Sequence, residues 1–448
     1  MDSIRICGEV PLYGRLKVQG SKNAALPILA ATVLIPGVSI LHNCPRIEDV
    51  HLMCKLLVSV GCCVKWEGNT LIVDASEITE AGGQRPLEKG AGQPGREACR
   101  MPAEYVEKMR SSVIFMGAML GRTGEISLKY PGGCVIGKRP IDLHLMAMEQ
   151  LGVETAQTEE GVTARVKRLR GGHIRFPIRS VGATENSILA AACAEGTTIL
   201  EHTALEPEIH ALCEFLRSAG AEITGEETGR IRIDGREKLH GCEYSIPTDR
   251  IVTGTYLLAC MAAGGEILLE GACRKEQQAL LGVLERMGAE AEARPEGILC
   301  HRNRLLLSPG EVVTEVYPGY PTDLQSPMLA VMAIARGSSG MTETIFENRF
   351  RVAEELNRMG AGICVEGRRA YVPGSAALHG EVVRARELRG GAALVVAGLA
   401  AQGETIVSGR QFIDRGYEDI VRDLRALGAD ISYEWEEDNS KGDGQSSV

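Results

Sequence analysis

The stretches LVSVGCCV (57–64), MEQLGVET (148–155), LRSAGAEI (216–223), LERMGAEA (284–291), LNRMGAGI (356–363) and LRALGADI (424–431) are six versions of one event, an apolar helical pattern that runs into glycine and restarts at once as a strand. Glycine suits the residue just past a helix because it has no Cβ to clash when φ turns positive. The glycines stand at 61, 152, 220, 288, 360 and 428, so the intervals are 91, 68, 68, 72 and 68 residues. A weaker marker recurs as LAATVLIPGVSIL, ACAEGTTIL, MAAGGEILL and LAAQGETIV, an apolar helix, a small turn with glycine and a β-rich run. Each unit thus reads strand, helix, strand, helix, strands, which predicts an α/β fold of six repeats in two groups of three.

The first interval exceeds the common 68 by 23 residues, and the excess falls on EAGGQRPLEKGAGQPGREAC (80–99), rich in Gly, Pro and charge and without apolar period. It is expected to be an inserted surface loop. The polar tail 434–448 is expected to be disordered.

A chain of 448 residues exceeds the roughly 250–300 over which one hydrophobic core keeps growing, so more than one domain is expected. Hydrophobic residues at 44% and charged ones at 24% fit a globular protein. Its 49 basic and 59 acidic side chains give a formal charge of −10, the wrong sign for coating nucleic acid or an anionic membrane. An anionic ligand must then be met by a local cluster of cations. Neither a secretory leader nor a membrane-spanning run is legible, and the 14 cysteines, scattered and without zinc spacing, suit a reducing cytoplasm.

Chemistry concentrates in a few segments. PGGCVIGKRPIDLH (131–144) carries Cys134 beside Lys138 and Arg139 in a run that Gly and Pro keep irregular. Cations make a thiol a better acid, nucleophile or oxidation target, although a buried structural cysteine is an equal reading from the residues alone. GSKNAALPIL (20–29) places Lys22 and Asn23 just ahead of an apolar helix, where a phosphate could sit; a helix cap and a solvated charge explain them as well. Arg110, Asp323, Arg349, Arg389 and Arg415 are weak candidates singly, but in facing repeats they could converge on a polyanion. His144 is as readily a packed ring as a ligand contact. No P-loop, HExxH, EF-hand or dinucleotide fingerprint is present, so neither a cofactor nor a metal is expected.

GSKNAALPILAA, PGGCxIGxRPIDLH, SVGATEN, EPEI, PTDLQ, FENRF, LRGGAAL and IDRGYE occur in this order, and together resemble the UDP-N-acetylglucosamine 1-carboxyvinyltransferases, enolpyruvyl transferases of peptidoglycan synthesis. The resemblance covers Met1 to about Tyr433 apart from the insertion. It implies a two-domain inside-out α/β barrel like that of EPSP synthase, with three βαβαββ units in each domain and the active site between them. One domain would run over 21–245 and the other would combine 1–20 with 246–433.

The substrates so implied are phosphoenolpyruvate and UDP-N-acetylglucosamine, with no nucleic acid, membrane or protein partner. By the same resemblance Cys134 is the general acid and Asp323 sits at the sugar 3′-hydroxyl. Lys22, Arg139 and Arg415 hold the phosphate and carboxylate of phosphoenolpyruvate, with Arg389 beside them, and Arg349 joins the substrate-binding set. Asn23, Arg110, Asp142, Leu143, His144, Ser180, Val181, Gly182 and Ile345 line the UDP-sugar site. Val135 and Lys138 depart from the Thr and Ala common in the family, and the added charge bears on loop closure and on the thiol's acidity.

Three rivals remain at this point. A sister transferase acting on shikimate 3-phosphate would not need a PGGC loop. A non-catalytic sugar-nucleotide sensor is hard to square with the intact set of Lys22, Cys134, Asp323 and Arg415, and an RNA-end-processing enzyme conflicts with the acidic charge. Because the loop residue is Cys and not Asp, the epoxide fosfomycin, a phosphoenolpyruvate mimic, is expected to alkylate Cys134 in the presence of UDP-N-acetylglucosamine. Mass spectrometry of the thiol-containing peptide checks this, and an unmodified Cys134 contradicts it.

Overall fold

The computed structural model describes residues 3–78, 100–130, 132, 140–302 and 305–434. The 80–99 insertion, Cys134, Arg139 and the tail beyond Glu434 lie outside these. All six repeat glycines have φ between 88° and 103°. At each, the residue after the glycine donates its N–H five positions back into the helix: Cys62 to Leu57, Val153 to Met148, Ala221 to Leu216, Ala289 to Leu284, Ala361 to Leu356 and Ala429 to Leu424, at 2.9–3.1 Å. This closure satisfies carbonyls that a helix end otherwise leaves bare.

Among the described residues the repeats form six sheets, five of four strands and one of three. In the three-stranded sheet of the second repeat the first strand is reduced to a single parallel bridge, Arg100 to Ser127. Two kinds of helix serve the sheets. The helices Glu48–Ser59, Pro207–Ser218 and Gln278–Arg286 each bury one face and leave the other polar. By contrast Lys22–Ala31, Val181–Ala192, Arg250–Ala263, Gln325–Ile334 and Leu388–Ala400 are buried almost all round, as helices enclosed by sheets must be. Helices inside and sheets outside is the inside-out arrangement expected from the motifs.

Two separate apolar cores result. One gathers residues from Ala24 to Ile246. The second gathers Ile4 to Val18 with Ile251 to Ile431. The chain passes between them twice. Strand Leu12–Lys17 pairs in parallel with Gly265–Glu270 of the second core, yet leads into helix Lys22–Ala31 of the first. Strand Cys242–Ser245 pairs with Val38–His42 of the first, yet leads into helix Arg250–Ala263 of the second.

The two passages touch where Gly20 bridges Thr248, flanked by Ser21 N–H to the Pro247 carbonyl at 2.7 Å and Asp249 N–H to the Gln19 carbonyl at 3.0 Å. A Cβ on Gly20 would lie 1.9 Å from the Asn43 carbonyl oxygen, so only glycine fits this crossing.

One buried polar knot fixes the helices of the first core. Asn186, fully buried, accepts the Gly117 N–H on Oδ1 at 2.5 Å, and its Nδ2 donates to the Val113 carbonyl and to His144 Nδ1, both at 2.9 Å. Asn186→Ala strands these partners in an apolar interior and is expected to destabilise the fold by roughly 3 kcal/mol. A lowered urea midpoint checks it; an unchanged midpoint contradicts the role.

Candidate active site

Helix Lys22–Ala31 begins earlier than the sequence pattern suggests. Ser21 is its cap, accepting the Ala24 N–H, so Lys22 and Asn23 form the first helical turn instead of preceding it. Lys22 is held at both ends. Its backbone N–H donates to Asp249 Oδ2 at 2.9 Å, and its Nζ lies 2.6 Å from Asp49 Oδ2.

Asp49 also takes a forked pair from Arg415 of the second core, Nε to Oδ1 at 2.8 Å and Nη2 to Oδ2 at 3.3 Å. Burial alone would raise the Asp49 carboxyl, but Lys22 and Arg415 outweigh it and hold the group below the usual carboxylate range.

A second knot forms wholly within the second core. Asp323 lies in the turn Thr322–Leu324, where Arg349 Nη2 reaches its Oδ1 at 2.7 Å and Arg389 Nη2 its Oδ2 at 2.9 Å. Both guanidinium groups are buried, while the Asp323 side chain keeps 27% of its surface open. Its burial opposes ionisation, yet Arg389 and Arg349 overcome this and pull the carboxyl well below its ordinary value. The Arg389 guanidinium shifts the opposite way: burial disfavours its charge, and Asp323 more than compensates.

Asp249 joins the two knots. It caps helix Arg250–Ala263 by accepting the Ile251 and Val252 N–H groups on Oδ1, binds the Lys22 N–H on Oδ2, and lies close enough to Arg389 to support its charge. Beside it Arg250 pairs with Glu208 of the first core at 3.0 Å and stacks 5.7 Å from the Tyr317 ring.

The residues expected at the nucleotide sugar lie at several separate places. His144 is buried, and the Asn186 amide on its Nδ1 assigns that nitrogen as acceptor, which puts the proton of the neutral ring on Nε2. The imidazole packs against Gly182, where a Cβ would come within 3.2 Å of Cε1. Gly182 and Val181 open the helix Val181–Ala192, whose cap Ser180 accepts the Ala183 N–H.

Arg110 and Asp142 line one cleft of about 540 Å³ with Tyr130, Pro140 and Ile141, and Arg110 Nη2 donates to the Pro140 carbonyl at 2.9 Å. Leu143, partly buried, packs on the first core. Ile345 is tied back by the fully buried Glu343, whose Oε1 accepts the Ile345 and Phe346 N–H groups while Oε2 takes the Thr322 hydroxyl. Asn23 is half-buried on the first turn beside Lys22.

Asp49, Asp249 and Glu343 escaped the sequence reading. Asp249 carried a usable signal, since PTDR (247–250) repeats PTDL (321–324) in the neighbouring unit. Asp49 carried none beyond an acid in a first helical turn.

The arrangement presents cations from two cores near helix N-termini, each cation steadied by a carboxylate. Such a site suits an anionic substrate that needs fixed positive charge without bulk water. No group of acids, histidines or thiols among the described residues is arranged to hold a metal ion.

A family model described as EPSP synthase (3-phosphoshikimate 1-carboxyvinyltransferase) matches residues 6–424. UDP-N-acetylglucosamine 1-carboxyvinyltransferase 2 of Caldanaerobacter subterraneus is 44% identical over 431 residues, 96% of this chain and 99% of that protein. UDP-N-acetylglucosamine 1-carboxyvinyltransferase of Nitratidesulfovibrio vulgaris strain DP4 is 44% identical over 436 residues, 97% of this chain and all of the relative (100%). Among solved structures, the enolpyruvyl transferase NikO from Streptomyces tendae superposes with a TM-score of 0.82 at 25% identity, over 96% of this chain and 98% of that one. EPSP synthase from Acinetobacter baumannii shares the fold with a TM-score of 0.73 at 16% identity, over 97% and 100%. The chain belongs to the EPSP synthase family, and within it to the UDP-N-acetylglucosamine 1-carboxyvinyltransferases.

Proposed function

We propose that this enzyme moves the enolpyruvyl group of phosphoenolpyruvate to the 3′-hydroxyl of UDP-N-acetylglucosamine with release of inorganic phosphate, the first committed step of peptidoglycan precursor synthesis. The observation that carries the mechanism is the pair of facing knots, Lys22–Asp49–Arg415 and Arg349–Asp323–Arg389. The two cores are the two domains, 21–245 and 1–20 with 246–433, and the reaction takes place between them.

Lys22 and Arg415, with Arg139 from the thiol loop and Arg389 alongside, bind the phosphate and carboxylate of phosphoenolpyruvate. Cys134 gives a proton to C3, which makes C2 electrophilic. The sugar oxygen then bonds to C2 while Asp323 takes the hydroxyl proton, giving a tetrahedral adduct that still carries phosphate. Loss of a proton from C3 and cleavage of the C2–O bond to phosphate restore the double bond and free the product.

The clamp on Asp323 constrains this sequence. A carboxylate held between two guanidinium groups is a weak base, so one arginine must pass to the incoming anion before Asp323 can accept a proton near neutral pH. Arg389 is the natural one to move, because it belongs to both the phosphoenolpyruvate set and the Asp323 clamp. Substrate binding thereby raises the basicity that the acceptor hydroxyl requires.

His144, Ser180, Val181 and Gly182 form the diphosphate and sugar side, where the first-turn N–H groups of a 12-residue helix favour negative charge. Arg110, Asp142 and Leu143 receive the nucleoside, and Asn23 and Ile345 border the sugar.

A cytoplasmic location fits the free thiols among the described residues and the absence there of any helix long and apolar enough to cross a membrane.

Phosphate release from phosphoenolpyruvate, with UDP-N-acetylglucosamine or shikimate 3-phosphate as acceptor, tests the proposal. Release is expected only with the nucleotide sugar. Cys134→Ala and Asp323→Asn are each expected to reduce it by about 100-fold or more. Release with shikimate 3-phosphate would move the protein to the sister activity, and no release with either acceptor would leave a sugar-nucleotide sensor.

A further inference from the structure

Asp49 takes part in no bond-making or proton-transfer step of the scheme above, yet it is the carboxylate on which Lys22 and Arg415 both rest. It is the second residue of helix Glu48–Ser59 and only 2% of its surface is exposed. Both oxygens are engaged, one by Arg415 Nε and the other by Lys22 Nζ and Arg415 Nη2. Lys22 belongs to the first core and Arg415 to the segment after helix Arg410–Ile413 of the second, so the carboxylate spans the boundary between them.

The neighbouring backbone holds Asp49 to the same place. Glu48 N–H donates to the Asp414 carbonyl at 3.0 Å, and Arg46 N–H to Glu418 Oε1 at 2.8 Å. Gln19 then braces the far side of that turn, donating to the Gly416 carbonyl and accepting the Glu418 N–H. Arg46, Glu48 and Asp49 of the first core and one short turn of the second are therefore locked in register.

Two cations with no anion between them would repel and swing apart, and an ammonium on a four-carbon stem has many rotamers to explore. We infer that Asp49 is a positioning residue for phosphoenolpyruvate: it holds Lys22 and Arg415, one from each core, at the spacing that a phosphate and carboxylate bridge, and serves as their counter-ion until the substrate arrives. This rests on the reading that Lys22 and Arg415 bind that substrate. The carboxylate touches no substrate atom in this role. It keeps the site from collapsing and keeps its net charge low enough to be buried.

The test is steady-state kinetics of Asp49→Asn, which preserves shape and removes charge, with both substrates varied. KM for phosphoenolpyruvate is expected to rise about 10- to 100-fold while KM for UDP-N-acetylglucosamine stays at the parent value. A purely structural Asp49 would lower the fraction of active enzyme and the melting temperature without this split. Asp49→Glu retains the charge and covers the case in which the Asn variant folds poorly; its longer arm displaces both cations, and the same selective rise in KM is expected.

A folded variant of either kind with the parent's KM for phosphoenolpyruvate overturns the inference. The parent enzyme separates the two levels of the argument. If the parent releases no phosphate, the transfer reading itself fails; if it is active and Asp49→Asn matches it, only the role of Asp49 fails.

Discussion

The structure depends on one electrostatic constraint, the burial of cations in a chain whose formal charge is −10. An unpaired guanidinium or ammonium cannot be taken out of water without a partner. Here four of the cations proposed to bind substrate share two carboxylates: Asp49 takes Lys22 and Arg415, and Asp323 takes Arg349 and Arg389. Both knots carry more positive than negative charge, so an anion entering between them completes the balance. Buried pairs of this kind add little to stability, and their value lies in fixing where charge sits before the substrate arrives.

The fold exists to aim these groups. The double crossing at Gly20 and Thr248 sets the first turns of two buried helices, one from each core, immediately beside each other. Asp249 shows the economy of this design. Its side chain caps the helix it precedes, binds the first N–H of a helix in the other core and supports Arg389. Any change that loosens the crossing would therefore move the cations of both knots.

How much of this could be read from the residues follows from range. The six glycine closures were legible because a helix end is a local event, with the demand for positive φ and the restart of the strand falling within a few positions. Family motifs singled out Lys22, Asp323, Arg349, Arg389 and Arg415, and the structure gathers these five into two clusters. Asp49 and Glu343 were not legible. Asp49 acts on Arg415 across 366 positions and Glu343 reaches back 21 positions to Thr322, and nothing near Asp49 in the chain distinguishes it from a surface acid favouring a helix start. The start of helix Lys22–Ala31 was misplaced because Asn23 is as good a cap as Ser21 by type, and the Ser21 N–H bond to Pro247, a contact made only at the crossing, settles the matter.

In the mechanism proposed above, two clusters work in sequence, one steadying phosphoenolpyruvate while C3 is protonated, the other freeing Asp323 to accept a proton from the acceptor. Its most direct test is turnover in deuterium oxide, with the enolpyruvyl product examined by mass spectrometry and proton NMR. Addition followed by elimination passes through a methyl group at C3 that has gained one solvent deuteron, so the account predicts deuterium in the vinyl methylene of the product. A product formed at the full rate with no deuterium in that position would contradict it.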